Sequence, residues 1–261
     1  MWLIYFSVGA DVEYAHVLEM CLKTLRENCA DITQFDILVM CDTNYVQYVE
    51  YLGTKLHITP TNLDGVQSCM RKIEIFDVPN IDQYKAVLYL DCDIVICGDI
   101  VQLLSKVVDN NTLYTLEEFE LDPHKTPFFG LENYTDDELK FLNDNCILAF
   151  NCGQFAFVPD EPMRQHFREV RQTVDTHTGS SFYEQSFMNR HFNLNCSQNT
   201  QVFRQLGILY PSNYISGKIV VHFTGTHKNG QTKLAEMQQY YEQYLASLPY
   251  SPISVYLVDT P

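Results

Sequence analysis

Residues 86–90, AVLYL, are apolar without a break and run straight into Asp91-Cys92-Asp93, after which Ile94, Val95 and Ile96 are apolar again. Such a run reads as a buried strand that ends in two carboxylates one residue apart. The first hundred residues support a sheet around it. Residues 2–6 are strand-like. A helix is expected over 12–28, where Tyr14, Leu18, Leu22 and Leu25 recur at helical spacing and Asp11 stands at the N-cap. Residues 35–40 are apolar, 45–52 read as a helix and 55–59 as a short strand, and 71–76 lead toward the central run. Strands alternating with helices imply an α/β fold with a largely parallel sheet. Ligands of such sheets sit beyond the carboxyl ends of the strands, where Asp91 and Asp93 fall.

The second half is more mixed. Residues 123–145 are polar and broken by turns, while 146–158 are apolar apart from interruptions such as Asn151 and Gly153. Helices are expected over 162–174 and 183–192, and a short strand over 219–223 that ends in Thr224-Gly225. Leu234, Met237, Tyr241, Leu245 and Leu248 form the apolar stripe of a last helix. With no repeat or linker in view, 1–261 reads as a single domain.

Charge and cysteine usage narrow the partners. With 17 basic and 33 acidic residues the chain carries −16, which repels a phosphate backbone and argues against nucleic acid. Nine cysteines without a CxxC cannot all pair and have no zinc-ribbon spacing, so buried free thiols in a reducing compartment are expected. The start, MWLIYFSVGAD, lacks the basic lead of a signal peptide, and no apolar run reaches the length of a membrane span. The expectation is a soluble, cytoplasmic protein.

In an extended segment Asp91 and Asp93 share a side and Cys92 faces away. Two like charges that close raise a pKa unless a cation joins them, and a divalent ion with oxygen ligands resolves the conflict. A strand-end turn whose aspartates cap backbone amides is the plain alternative. Asp91-Cys92-Asp93-Ile94-Val95 also meets the DxDx[TV] pattern of haloacid-dehalogenase-type phosphatases, in which the first carboxylate is a nucleophile. That site needs a further acidic pair after a strand, and Asp136-Asp137 reads instead as a helix start. The remaining reading is a nucleotide-sugar transferase, with the pair gripping a metal on the donor diphosphate. The segment Val221-His222-Phe223-Thr224-Gly225-Thr226-His227-Lys228 bears on the choice. There a histidine offers an imidazole ligand, a glycine permits close approach to a phosphate, and a lysine brings positive charge.

Taken in order, FSVGADVEYA, RKIEIF, VLYLDCD, FNCGQFAF, EQSFMN and HFTGTHK resemble the retaining glycosyltransferases of family 8, the group of glycogenin and the bacterial galactosyltransferases. The resemblance implies a GT-A fold: a Rossmann-like, mostly parallel nucleotide-binding half, about 1–100, and a mixed donor-sugar and acceptor half, about 101–261. It implies Asp91, Asp93 and His222 as ligands of Mn²⁺ or Mg²⁺, and the nitrogen ligand favours Mn²⁺. Ser7, Gly9, Asp11 and Tyr14 match the segment that holds the nucleoside; by periodicity Tyr14 equally suits core packing, and Asp11 also suits a helix cap. Lys72 matches a basic residue that reaches the donor, Cys92 lies within the metal-gripping segment, and Gly225 and Lys228 match diphosphate contacts. Asn151 and Cys152 match positions near the donor sugar, where the family often has Asn-Ser. Glu184-Gln185 matches Asp-Gln, and Ser181 stands where another aspartate is frequent.

The implied activity is transfer of a hexose-type sugar from a UDP-sugar to a hydroxyl of a sugar, glycan or protein, with retention of configuration. Asp93, Glu184 and Gln185 are the implied catalytic set, with Gln185 at the β face of the sugar in a positioning role. A protein that binds nucleotide sugars without transfer would carry the same motifs. A homodimer is compatible with the sequence.

Overall fold

In the computed structural model, which describes residues 1–9, 12–58, 70–120, 133–176, 183–209, 211, 214–225 and 230–248, ten strands form two sheets. They are β1 (Trp2–Val8), β2 (Phe35–Cys41), β3 (Lys55–Ile58), β4 (Val87–Leu90), β5 (Ile94–Ile96), β6 (Thr112–Glu120), β7 (Leu148–Phe157), β8 (Ser197–Asn199), β9 (Gly207–Leu209) and β10 (Val220–His222). The larger sheet has the order β3-β2-β1-β4-β7-β6-β8; the smaller is β5-β10-β9. From β3 to β4 every pairing is parallel, whereas β7 runs antiparallel to both β4 and β6. The expected parallel sheet is therefore present, and strands from the second half extend it.

β1 and β4 are buried at nearly every position, as strands packed on both faces must be. One face carries a core with Ile4, Phe6, Leu88 and Leu90, against which the helix Val12–Asn28 places Leu18, Leu22 and Leu25. The other face carries Tyr5, Tyr89, Phe155 and Phe157, covered by the helices Glu161–Thr176 and Tyr183–Asn195. β2 and β3 lie on one side of β1 and β4 on the other, so the strand order switches direction between β1 and β4. Their shared carboxyl edge is the crevice where this type of sheet binds ligands.

Several elements differ from expectation. Residues 70–77 form a 3₁₀ segment, Met70–Asp77, with Arg71 and Lys72 buried. β6 has no counterpart in the hydropathy reading: Leu113 and Tyr114 are buried on opposite faces, but threonines and the glutamates 117, 118 and 120 break up the apolar run. In the last helix, Gly230–Ser247, the buried face is Lys233, Met237, Tyr240, Tyr241 and Tyr244, while Leu245 and Leu248 are exposed. Tyrosine hydroxyls decide that face. Tyr244 donates to Asn28 Oδ1 and Tyr241 to Glu27 Oε2, each within 3 Å, which docks the helix on Val12–Asn28. Eight of the cysteines are described and all are free; Cys69 and Asp11 lie outside the described residues.

Asn189 fastens the helix carrying Glu184 and Gln185 to β7. Its Oδ1 accepts from Phe150 N at 2.8 Å, and its Nδ2 donates to Phe150 O at 2.9 Å and to Gln185 O at 3.0 Å. Leucine at this buried position would remove both side-chain bonds to the Phe150 backbone, at about 1–3 kcal/mol for each group left unpaired. Asn189→Leu is expected to lower the urea midpoint and to depress turnover. A variant as stable and active as wild type would mean that the helix is held elsewhere.

Candidate active site

The two aspartates do not sit on one extended strand. β4 ends at Leu90, β5 begins at Ile94, and Asp91-Cys92-Asp93 is the bend by which the chain passes from the large sheet to the small one. Backbone bonds hold the bend on both sides: Asp91 N donates to Gly153 O at 2.7 Å, and Phe223 N donates to Asp93 O at 2.9 Å. The carboxylates converge because two sheets meet there, rather than by strand alternation. Cys92 turns into the core and its thiol donates to Ser7 O at 3.4 Å, so its side chain does face away.

Strand register supplies the third group. β10 pairs antiparallel with β5, His222 opposite Ile94, and this brings the imidazole to the bend. His222 Nε2 lies 3.1 Å from Asp93 Oδ1 and 3.7 Å from Asp91 Oδ2. One ligand atom from each of the three residues lies within 4.8 Å of the others. Nδ1 of His222 is buried with no hydrogen-bond partner among the described residues, so the ring's polar business is with the carboxylates. Gly153 makes room. A Cβ there would stand 2.1 Å from His222 Cε1 and 2.5 Å from Asp91 Oδ2. Two carboxylates and an imidazole in a cradle that a single methyl would fill are a donor set suited to a divalent ion.

Lysines occupy two sides of the site. Lys72, buried, lies 3.2 Å from Asp91 Oδ1, 2.8 Å from Glu184 Oε1 and 3.2 Å from Cys152 O. Burial alone would lower its pKa; Asp91 and Glu184 outweigh burial and push it above the ordinary lysine value. Tyr89 donates to the same Asp91 oxygen at 2.5 Å; burial, and then that carboxylate, raise its pKa and keep it a phenol. Lys233 pairs with Asp93 Oδ2, and its ammonium is 5.7 Å from the centre of the half-buried Tyr14 ring. Burial would raise the Asp93 pKa, but His222 and Lys233 overcome it and hold the carboxyl below the usual carboxylate range.

The other expected residues divide into three groups. Ser7 and Gly9 are buried at the carboxyl end of β1, on the same edge as the bend. Asn151 is buried on β7, where its Oδ1 accepts from Gly153 N at 2.8 Å and its Nδ2 donates to Glu118 Oε2 at 3.0 Å. Gln185 Oε1 accepts from Cys152 N at 3.3 Å. The side chain of Cys152, by contrast, points into the core beneath β7, and burial raises its thiol pKa first of all causes. Gly225 is exposed with φ +141, a conformation that side chains rarely adopt. Lys228, like Asp11 and Ser181, lies outside the described residues.

Gly153, Tyr89 and Lys233 escaped the sequence reading. Lys233 had a signal, since it lies four residues before Met237 and so shares its buried helix face. Asp136 and Asp137 open a helix with a capping box from Thr135 and Glu138, as their spacing implied, and belong to no cluster with Asp91 and Asp93.

A family model described as glycosyl transferase family 8 matches residues 71–229. No curated protein sequence matches the chain. Among solved structures, the fold is similar to that of WbbM, a bifunctional glycosyltransferase, with a TM-score of 0.60 and 16% identity over 93% of this chain and 51% of that one. This chain therefore spans about half the length of that structure. LgtC, a galactosyltransferase solved with donor and acceptor sugar analogues, gives a TM-score of 0.57 at 14% identity over 97% of this chain and 98% of its own. GlyE of Streptococcus pneumoniae TIGR4 gives 0.52 at 13% identity over 93% and 64%. At these identities the likeness establishes the fold, which is GT-A.

Gly153→Ala drives a methyl into His222 and Asp91. It is expected to cost about 1–3 kcal/mol of stability by overpacking and to weaken Mn²⁺ binding severely while the circular dichroism spectrum is retained. Undiminished Mn²⁺ affinity in isothermal titration would show that the cation does not sit in this cradle.

Proposed function

The chain belongs to glycosyl transferase family 8, and from that premise we propose that this glycosyltransferase moves a hexose-type sugar from a UDP-sugar to a hydroxyl of a sugar, glycan or protein, retaining configuration and depending on Mn²⁺ or Mg²⁺. The observation that carries the proposal is the convergence of Asp91, Asp93 and His222 at the carboxyl edge of the sheet. Further support comes from two solved structures of LgtC, one with donor and acceptor sugar analogues and one of an active-site mutant in which glutamine is replaced by glutamate. Gln185 is this chain's candidate for such a glutamine.

Breaking a glycosidic bond to a diphosphate puts negative charge on the leaving group, and a divalent ion held by Asp91, Asp93 and His222 would stabilise that charge. The chain's own residues prepare the site. Lys72 and Tyr89 hold Asp91 from one side, and His222 holds Asp93 from the other, so both carboxylates are oriented before the donor binds. Gly225, at φ +141 in a backbone conformation that side chains rarely adopt, is assigned to the diphosphate. Ser7, Gly9 and Tyr14 lie at the β1 end of the crevice and are assigned to the nucleoside; Asn151 is assigned to the donor sugar.

Glu184 and Gln185 take different roles because of what they touch. Glu184 is buried in an ion pair with the Lys72 ammonium at 2.8 Å, so its carboxylate is committed to Lys72 and not turned to the acceptor hydroxyl. Gln185, half-buried, is oriented through Oε1 by Cys152 N and is assigned to hold the sugar's β face. With Glu184 held by Lys72, the acceptor attacks from the face the diphosphate leaves, and a departing phosphate oxygen takes its proton. That route retains configuration.

The test is a panel of UDP-α-sugars with Mn²⁺, followed by NMR of the product's anomeric proton. An α-linked product is expected. A β-linked product would overturn retention and point to Glu184 as a base, and no transfer or UDP release from any nucleotide sugar would overturn the function. Asp93→Asn is expected to abolish transfer and weaken Mn²⁺-dependent UDP binding with the fold intact.

A further inference from the structure

Lys233 is a charged side chain in a place that the site does not obviously provide for. It is 5% exposed, and its ammonium pairs with Oδ2 of Asp93, whose other oxygen faces His222. The residue lies beyond the family-matched segment 71–229, in the first turn of the helix Gly230–Ser247. That helix is rigidly placed. Met237, Tyr240, Tyr241 and Tyr244 are buried beneath it, and Asn28 bonds both Tyr241 and Tyr244 at 2.9 Å. From that packed helix Lys233 reaches the bend through its four-carbon stem.

The charges around the bend make sense of this placement. Asp91, Asp93 and Glu184 bring three carboxylates, against which Lys72 and Lys233 set two ammonium groups. Lys72 serves Asp91 and Glu184 together, so Asp93 depends on Lys233 and His222 for its compensation. A divalent ion between Asp91, Asp93 and His222 would take over that compensation and repel an ammonium already resting on one of its ligands. The displaced ammonium would remain at the carboxyl edge of the sheet, where the donor's diphosphate is proposed to bind, and the ion and the ammonium together would answer its charge.

We infer that Lys233 is the resident counter-cation of the Asp91–Asp93 pair, displaced from Asp93 by an incoming divalent ion and then available as a ligand of the donor's diphosphate. The second half of this inference rests on the proposed UDP-sugar function; the first half requires only that the bend bind a cation.

The decisive measurements use Mn²⁺ alone before any nucleotide. By electron paramagnetic resonance titration, Lys233→Met should bind Mn²⁺ about tenfold tighter than wild type, the equivalent of one charge-assisted hydrogen bond no longer to be broken, whereas Lys233→Arg should not gain. In Mn²⁺, Lys233→Met should bind UDP about tenfold more weakly and uridine unchanged. The wild-type protein gives a check that does not depend on the variants folding. Acylation of Lys233, read by mass spectrometry, should be slow without metal, faster with Mn²⁺, and slow again with Mn²⁺ and UDP.

Equal or weaker Mn²⁺ binding by Lys233→Met, or Lys233 reactivity that ignores bound Mn²⁺, would overturn the counter-cation role. Unaltered UDP binding by the variant would overturn the diphosphate contact alone. Wild-type protein that binds Mn²⁺ but no UDP would overturn the proposed function, and the Mn²⁺ arm would still decide the first half.

Discussion

The buried contact of Lys72 with Asp91 and Glu184 ties together the parts of the molecule that make the site. Its ammonium joins the 3₁₀ segment Met70–Asp77, the carboxyl end of β4 and the first turn of the helix Tyr183–Asn195, elements separated by long stretches of chain. Tyr5 donates to the Lys72 carbonyl at 2.9 Å, and the ammonium lies 4.7 Å from the centre of the Tyr89 ring. Taking Lys72 and Glu184 out of water costs several kcal/mol per ion, and their attraction repays it only where geometry and hydrogen bonds are good. Losing Lys72 would strand the buried Glu184 carboxylate. The arrangement therefore specifies where the site is built more than it stabilises the fold.

Two sheets meeting at an acidic bend are the second constraint. The large sheet contributes Asp91 at the end of β4 and Gly153 on β7; the small one contributes His222 on β10. Each group reaches the site through strand register, and a shift of one residue would turn a side chain to the opposite face. This is why a glycine is needed on β7: the strands bring Asp91 and His222 so close to its backbone that a methyl has no room. The lysines on either side then occupy the carboxylate oxygens directed away from the imidazole.

Much of this was legible from local pattern. Unbroken apolar runs marked β1 and β4, and helical spacing marked Val12–Asn28, because burial on both faces or on one stripe leaves a local signature. The ordered motifs led to the family to which the chain belongs. β6 was missed because threonines and glutamates break up its apolar run, and Leu245 and Leu248 were misplaced because tyrosines, each with a hydroxyl to satisfy, took the buried face. That the Cys152 side chain enters the core was not legible either, since which face of β7 meets the core depends on the strands beside it.

By itself the sequence determined the α/β class and the acidic pair at the end of a buried strand, since these follow from residue type and short-range period, while His222 was joined to the pair only through the ordered motifs of the family resemblance. Tertiary structure alone decided that the pair converges through a bend between sheets, that Gly153 must lack a side chain, that Lys72 pairs with Glu184, and that Lys233 comes to rest on Asp93. The physical reason is the range of the forces involved. Hydrophobic periodicity is written within a few residues, whereas charge compensation and steric clearance join residues as far apart as 93 and 233 and exist only once the sheets and the last helix have packed.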